Sequence, residues 1–293
     1  MIDTKRGDAG LSWWRDFWAE NERCLYGEVD PALGDARPVR PAFTAARSRV
    51  PVLVELGEDW IIWRTDSRYG RFIRDFAYQQ EVRDRCAALL MDDIAFHLKA
   101  KVDSSSLLHG SVYGMTIGYP EDSTPWLNHL IHGPEDIRRL IVTMEKIDLS
   151  QAGLVPWYVA SYRALNRPYR WRILHDSTSV HGPGTILGFL FGINDMMLAM
   201  HDEPDLVHAL LETIGEVTVR YSRTVRNLTD APATGVGVFD DVGGLVSPRY
   251  FERFFMPVYE KIYGELAPGA DDDRFLHNDA RVAHLLDFFR DLG

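Results

Sequence analysis

His277 and Asp279 have a spacing that suits metal binding or proton transfer. The two residues are two positions apart, so on an extended segment both side chains lie on the same face. An imidazole and a carboxylate can share a metal ion, with zinc as the candidate, or can share a proton. The alternative is a histidine that is hydrogen-bonded locally at the end of a strand. Two candidate ligands alone do not separate these interpretations.

Adjacent carboxylates, Asp240 and Asp241, follow an apolar segment upstream of that pair. Neighbouring residues at a strand end point to opposite sides, so only one of the two can face a site. The carboxylate that faces the site could orient a substrate or accept a proton. The alternative is that one carboxylate caps the next turn while the other is solvated.

Polar residues and glycines also follow another apolar segment, at His175, His181 and Gly184. Residues 182–185 lack the GxGxxG spacing of a dinucleotide loop and the Lys-Ser/Thr pair of a phosphate loop. Backbone geometry therefore explains these glycines better than phosphate binding does. The sequence has no GxSxG motif, and neither cysteine has a neighbouring histidine, so nucleophilic acyl chemistry has no support.

The elements that position these residues follow a pattern typical of β/α units around a parallel sheet, in which short apolar runs alternate with longer amphipathic segments. Reactive groups gather at the C-terminal ends of the strands in such sheets, which is where the candidate residues lie. Strands are predicted at residues 52–56, 107–113, 172–175, 234–239 and 274–277. Helices are predicted at residues 205–228, 250–266 and 282–291, the second of them opened by Ser247 and Pro248.

Residues 1–48 are predicted to form an N-terminal helical extension, separate from one domain over residues 49–293. Trp13, Trp14, Phe17 and Trp18 form an apolar face at helical spacing before prolines interrupt the pattern. We expect this face to pack within the protein. The alternative is that it lines a pocket or an interface between two copies of the chain.

Composition limits the classes of function. The chain has 293 residues, 32 Lys and Arg against 43 Asp and Glu, and a formal net charge of −11, which disfavours a nucleic-acid partner. The longest nearly apolar stretch, residues 185–193, is too short to span a bilayer, and the sequence begins without a secretory signal pattern. Two cysteines make no disulfide framework. We therefore expect a cytoplasmic protein with no membrane partner.

Three segments together resemble the uroporphyrinogen decarboxylase superfamily, which also contains corrinoid and coenzyme M methyltransferases. They are residues 181–192 (HGPGTILGFLFG), residues 239–248 (FDDVGGLVSP) and residues 275–278 (FLHN). The resemblance covers about residue 50 to residue 293 and implies a (β/α)₈ TIM barrel with its site at the C-terminal strand ends. Only about five strands can be identified, so we expect the barrel to be C-terminally incomplete in this chain.

Departures from the family pattern bear on the substrate. The arginine-rich opening segment of true uroporphyrinogen decarboxylases has no match, and Phe189 and Asp241 stand where those enzymes carry a tyrosine and a serine. These changes disfavour a polycarboxylate tetrapyrrole. The zinc methyltransferases carry His-x-Cys where this chain has His277 and Asp279. The resemblance therefore implies that these two residues are metal ligands, with a hard carboxylate in place of a soft thiolate.

The leading hypothesis is a methyltransferase-like enzyme that moves a methyl group from or to a corrinoid or a small methylated donor, with zinc assistance. A decarboxylase of a carboxylic acid and a non-catalytic barrel that acts as a binding partner remain as alternatives. Expected partners are a small-molecule substrate, a corrinoid protein and a second copy in a homodimer. The predicted catalytic residues are Asp241, His277 and Asp279; the predicted substrate-binding residues are His175, His181, Gly184, Phe189 and Asp240.

Overall fold

The computed structural model describes residues 57–94, 106–165, 179–231 and 234–292, together with residues 102 and 104. The chain divides into two compact units, one from Met1–Asp103, Pro120–Thr124 and Ala164–Ile173, the other from Ser104–Tyr119, Pro125–Arg163 and Leu174–Gly293. The predicted extension over residues 1–48 and the predicted strands at 52–56 and 172–175 lie outside the described residues. The domain boundary after residue 48 therefore stays a prediction.

Helices make up most of the first unit where the structure describes it. Its helices are α1 (Glu58–Arg64), α2 (Tyr69–Arg74) and α3 (Phe76–Ile94). Ile61, Phe72 and Val82 are completely buried and form its apolar core. The backbone N–H of Tyr69 donates to the carbonyl of Glu121, which attaches the short segment 120–124 to the start of α2.

A parallel sheet of three strands forms the centre of the second unit. The strands are β3 (Ser179–His181), β4 (Val236–Phe239) and β5 (Arg274–His277), in that spatial order. Val180, Val236 and Val238 are buried on one face, while the residues that alternate with them are half-buried or exposed. The structure confirms the strand predicted at 274–277 and most of that predicted at 234–239.

Helices connect and surround these strands. The N-terminal part of this unit contains α4 (Leu107–Ser111), a small antiparallel pair of β1 (Ile117–Gly118) and β2 (Trp126–Leu127), α5 (Pro134–Glu145) and α6 (Val155–Ala164). Between β3 and β4 lie α7 (Pro183–Phe191), α8 (Ile193–Asp202) and α9 (Pro204–Thr229). Between β4 and β5 lie a 3₁₀ turn (Gly243–Leu245), α10 (Pro248–Tyr250), a π-helical turn (Phe251–Phe255) and α11 (Met256–Leu266); a second 3₁₀ turn (Ala283–Leu285) and α12 (Leu286–Asp291) follow β5.

The prediction of a strand at residues 107–113 is wrong, because this segment begins with helix α4. All seven of its residues are buried. A short apolar run that is buried on every side shows no alternation, so periodicity cannot distinguish a strand from a helix there. His109 and Ser111 are the buried polar residues of this segment.

The three predicted helices are present with different degrees of regularity. The long helix predicted at 205–228 is confirmed as α9. The helix predicted at 250–266 begins as expected, with Ser247 Oγ accepting from the N–H of Tyr250, but its first part is the π-helical turn. Pro257 follows this turn and cannot donate to the carbonyl four residues earlier, which explains the local irregularity. The helix predicted at 282–291 forms only as the second 3₁₀ turn and α12.

The alternation of parallel strands with helices confirms the α/β class. The described residues contribute three strands to one parallel sheet and do not show the closed eight-stranded barrel. In the described part of the chain, no single helix has the length and apolarity to cross a membrane; α7 and α8 meet these criteria only as a pair bent by 104°.

Candidate active site

The C-terminal ends of the three parallel strands bring His181, Phe239 and His277 into one row. His181 pairs in register with Phe239, which pairs in register with His277. Residues paired in this way point to the same face of a parallel sheet. The rings of Phe239 and His277 are 5.0 Å apart between centroids. The sheet therefore presents two imidazoles with an aromatic ring between them.

Asp241, His277 and Asp279 converge just beyond this row. Each offers one ligand atom, and the three atoms lie within 4.8 Å of one another. Nε2 of His277 is 3.2 Å from Oδ1 of Asp279, and the N–H of Asp279 donates a 2.8 Å hydrogen bond to Oδ1 of Asp241. The structure thus brings together the three residues predicted to be catalytic, and it adds Asp241 to the two predicted metal ligands.

The donor set of this triad fits a divalent cation. Two ligands held about 2.1 Å from a tetrahedral zinc ion are roughly 3.4 Å apart, which is close to the separation of His277 and Asp279. Asp241 and Asp279 are exposed and His277 is half-buried, so the side chains have room to adjust around an ion. Three protein ligands also leave a coordination position for a substrate, as in catalytic zinc sites.

Hydrogen bonds between β4 and β5 fix the backbone that carries the triad. The N–H of Asp240 donates to the carbonyl of His277 at 3.0 Å. The side-chain amide of Asn278 donates to the carbonyl of Asp240, and its oxygen accepts from the N–H of Ala280. Sequence reasoning assigned no role to Asn278, although it lies in one of the segments that carried the family resemblance. The Asn278 amide therefore connects the turn after β5 to the end of β4 through this hydrogen bond.

Asp240 is completely buried, and its carboxylate accepts hydrogen bonds from three parts of the chain. Oδ1 accepts from the N–H and hydroxyl of Thr185 and from the N–H of Gly243, at 2.6, 3.0 and 3.1 Å. Oδ2 accepts from the N–H of Gly184 at 3.0 Å and from the hydroxyl of Tyr259 at 2.7 Å. Burial raises the pKa of the Asp240 carboxyl, and the donated hydrogen bonds oppose that shift. The carboxylate therefore caps the N-terminus of α7 from a neighbouring strand.

Glycines around Asp240 allow the backbone at the start of α7 to lie close to its carboxylate. A Cβ atom on Gly182 would lie 2.5 Å from Oδ2 of Asp240, and one on Gly184 would lie 2.5 Å from the backbone nitrogen of Gly243. Gly184 and Asp240 were both predicted to contact a substrate. Their burial, together with the bonds between them, favours a role in holding the chain around Asp241 instead.

His109 holds His181 in position through a hydrogen bond and a ring contact. It is a buried residue of α4 that sequence reasoning did not single out. The backbone N–H of His181 donates to Nδ1 of His109 at 3.0 Å, so the His109 proton resides on Nε2, which lies 3.3 Å from the hydroxyl of Thr218. Burial lowers the pKa of His109 well below its usual range and lowers the pKa of His181 to about 4, although the Asp241 carboxylate opposes the second shift. Both imidazoles are therefore neutral at pH 7. The only sequence signal was a polar residue inside an apolar run.

Two further residues were predicted to bind substrate. Phe189 of α7 is half-buried, and its ring meets the edge of the His181 ring at 5.2 Å and 88°. It therefore borders the row of rings at the strand ends. His175 lies outside the described residues.

A family model described as uroporphyrinogen decarboxylase (URO-D) matches residues 99–293. This range contains all five described strands and every described residue of the candidate site. The match thus covers most of the chain, including the sheet and the segments that follow its strands.

Comparison with individual proteins gives more limited likenesses. Uroporphyrinogen decarboxylases from Xanthomonas campestris pv. campestris strains B100 and 8004 are 34% identical over 71 residues, which is 24% of this chain and 19% of each relative. The chain thus matches about a fifth of the length of these curated relatives. A methyltransferase from Methanosarcina mazei superposes with a TM-score of 0.60 and 17% identity, covering 82% of this chain and 67% of the other. At this identity the likeness establishes a similar fold and nothing more.

Proposed function

The chain belongs to the uroporphyrinogen decarboxylase (URO-D) family, and we propose that it is a methyltransferase-like member whose site holds a divalent metal ion, with zinc as the candidate. The convergence of Asp241, His277 and Asp279 within 4.8 Å carries this proposal. The fold of the methyltransferase from Methanosarcina mazei supports it. The methyl group would come from, or go to, a corrinoid or a small methylated compound.

Each residue of the triad has a separate part in this proposal. His277 and Asp279 would hold the ion through Nε2 and a carboxylate oxygen, and Asp241 would supply the third ligand. The N–H of Asp279 already orients Oδ1 of Asp241. A bound divalent ion would supply Lewis-acid chemistry here, because coordination would lower the pKa of a heteroatom that has to act as a nucleophile toward a methyl group. The hydrogen bonds of Asn278 hold the turn after β5, so these ligands lie close together before a substrate binds.

The composition of the ligand set bears on which metal and substrate fit. Two carboxylates and one imidazole supply oxygen and nitrogen ligands, whereas soft thiolates are absent from the triad. Such a set accepts zinc but is also compatible with harder divalent ions. Two carboxylates also balance the charge of a divalent ion, so the complete site would be close to neutral.

A decarboxylase is the second candidate, and the identity to uroporphyrinogen decarboxylases over 71 residues favours it. In that reaction Asp241 or His277 would donate a proton to the carbanion that remains when carbon dioxide leaves. An aromatic ring at Phe189 and a carboxylate at Asp241 disfavour a polycarboxylate substrate. A smaller acid is therefore the substrate class for this alternative.

Metal content tests the leading proposal. Protein purified without chelator or histidine tag is compared with His277→Ala, Asp279→Ala and Asp241→Asn, and with His201→Ala as a control on the exposed end of α8. We expect about one metal ion per chain in the wild type and control, with large losses in the three triad variants. Protein that contains no metal in any sample, or that retains it in the triad variants, would overturn the proposal and leave the decarboxylase to be tested.

A further inference from the structure

The row of rings at the strand ends has a second polar terminus opposite the triad. His181 and His277 are separated by Phe239 in the sheet, so their Cα atoms lie roughly 10 Å apart, two strand spacings. Their side chains point to the same face. A flat molecule lying over Phe239 would therefore meet His277 at one end and His181 at the other.

The His181 ring is held in one orientation by its neighbours. It stacks on His109 at 5.9 Å and 12°, and the Phe189 ring packs against it at right angles. His109 is itself stacked on Tyr221 at 4.6 Å and lies against Thr218. This support leaves the His181 ring little freedom, as expected of a group that recognises a ligand by position.

Only one nitrogen of this ring is available to a ligand. Nδ1 has almost no accessible surface and no hydrogen-bond partner within the described part of the chain. A second proton on the ring would therefore place an N–H without an acceptor in the interior, which keeps the imidazole neutral. No described residue forms a hydrogen bond with Nε2, and His181 as a whole is half-buried. Nε2 is thus the remaining hydrogen-bonding atom of the side chain.

We propose that Nε2 of His181 is a second polar anchor of the site and binds an uncharged hydrogen-bonding group at the far end of a small, flat apolar substrate. The inference depends on the proposed function only for the location of the reacting end, at Asp241, His277 and Asp279. A neutral imidazole does not attract an anionic group at the His181 end, and in the metal-free protein the carboxylates of Asp241 and Asp279 repel one. The substrate class is therefore an aromatic or similarly planar molecule with a hydroxyl, carbonyl or amide group opposite its reacting atom.

Binding of simple probes to chelator-treated protein tests this assignment without a metal. Phenol, toluene and benzoate are titrated into the full chain, with ¹⁵N chemical shifts of histidine side chains as the readout. We expect phenol to bind about fivefold more tightly than toluene, the effect of one hydrogen bond, and to shift the Nε2 resonance of His181. Benzoate should bind more weakly than phenol.

Three variants show whether His181 causes this preference. His181→Phe keeps a planar ring but removes Nε2, so it should bind phenol and toluene equally. His181→Gln places an amide nitrogen near the position of Nε2 and should retain part of the preference. His208→Phe is the matched control, because His208 stacks on Phe254 and is not one of the rings in the row of His181, Phe239 and His277. Thermal melting of each variant verifies that it folds.

Several results would overturn the inference. These are the absence of saturable phenol binding to the wild type, equal affinities for phenol and toluene, a preference that persists in His181→Phe, or tighter binding of benzoate. Because the titrations exclude metal, they do not share an outcome with the metal analysis of the triad. Failure of one proposal therefore leaves the other open to its own measurement.

Discussion

The hydroxyl of Tyr259 donates a 2.7 Å hydrogen bond to the carboxylate of Asp240, and both residues are completely buried. Burial and the nearby carboxylate raise the pKa of Tyr259 well above its usual range, so the phenol remains a donor at all moderate pH values. This bond connects α11 to the end of β4, immediately before Asp241. It contributes to the position of a candidate catalytic residue through the chain rather than through contact with a substrate.

Replacing Tyr259 by Phe should lower the free energy of unfolding by about 2 kcal/mol, because a buried carboxylate loses a donor. Tyr263→Phe is the matched control, since Tyr263 donates to a neutral acceptor, the carbonyl of Phe275, at 3.1 Å. We expect the control to lose only about 1 kcal/mol. Urea unfolding measures both changes. A loss in Tyr259→Phe no greater than that of the control would show that the Asp240 carboxylate does not depend on this donor.

Glycine at position 184 should be required for stability. A Cβ there would lie 2.5 Å from the backbone nitrogen of Gly243 and 2.8 Å from Oδ1 of Asp240, so Gly184→Ala should destabilise the protein by about 2 kcal/mol or more. Gly264→Ala provides the comparison, because Gly264 lies within α11 with nothing near its Cβ position. That substitution should stabilise by about 0.5–1 kcal/mol. Thermal melts with the same sign for both variants would contradict the packing described around Asp240.

The strand-end rule explains why the sequence predicts the triad. Parallel strands align their C-terminal ends, so residues that follow β4 and β5 must lie near one another whatever the rest of the fold does. This geometry places Asp241 beside His277 and Asp279. Helix α9 is equally predictable, because its apolar residues recur with the helical period over many turns.

Contacts between distant parts of the chain are not predictable in this way. The spacing shows that Asp240 and Asp241 point in opposite directions, but it does not show which of the two is buried. That choice depends on the hydrogen bond from Tyr259, 19 residues later, to Asp240. The support of His181 comes from His109, 72 residues earlier. No periodic pattern relates such positions, and the burial of the whole 107–113 segment also removed the signal for its helix.

Stability should decrease as the pH falls from 6.5 to 5, because His109 and His181 are held neutral in the folded protein. In the unfolded chain both titrate near 6.5, whereas burial lowers the pKa of His181 to about 4 and that of His109 further below its usual range. The unfolded state therefore binds more protons in this window. Stability is complete above about pH 6.5 and declines by about 1.4 kcal/mol per pH unit for each histidine below it.

His109→Asn tests this origin, because the asparagine oxygen can accept from the N–H of His181 while the side chain does not titrate. We expect the variant to lose about half of the pH dependence between pH 6.5 and 5, measured by urea unfolding at several pH values. His201→Asn removes an exposed histidine and should retain the wild-type dependence. A wild-type protein with constant stability over this range would show that these histidines accept protons without unfolding.

Zinc should raise the melting temperature of chelator-treated protein, because an ion that binds only the folded state stabilises it by mass action. At a concentration of 100 times Kd the gain is about 2.7 kcal/mol, or a shift of about 5 °C. Asp279→Asn should abolish most of this shift, since it removes the carboxylate charge next to Nε2 of His277 while preserving side-chain volume. Asp287→Asn is the control, because Asp287 is an exposed carboxylate paired with Arg290 outside the triad. An equal shift in both variants would identify the effect as non-specific binding to surface carboxylates, and no shift in the wild type would exclude a structural contribution of zinc at the triad.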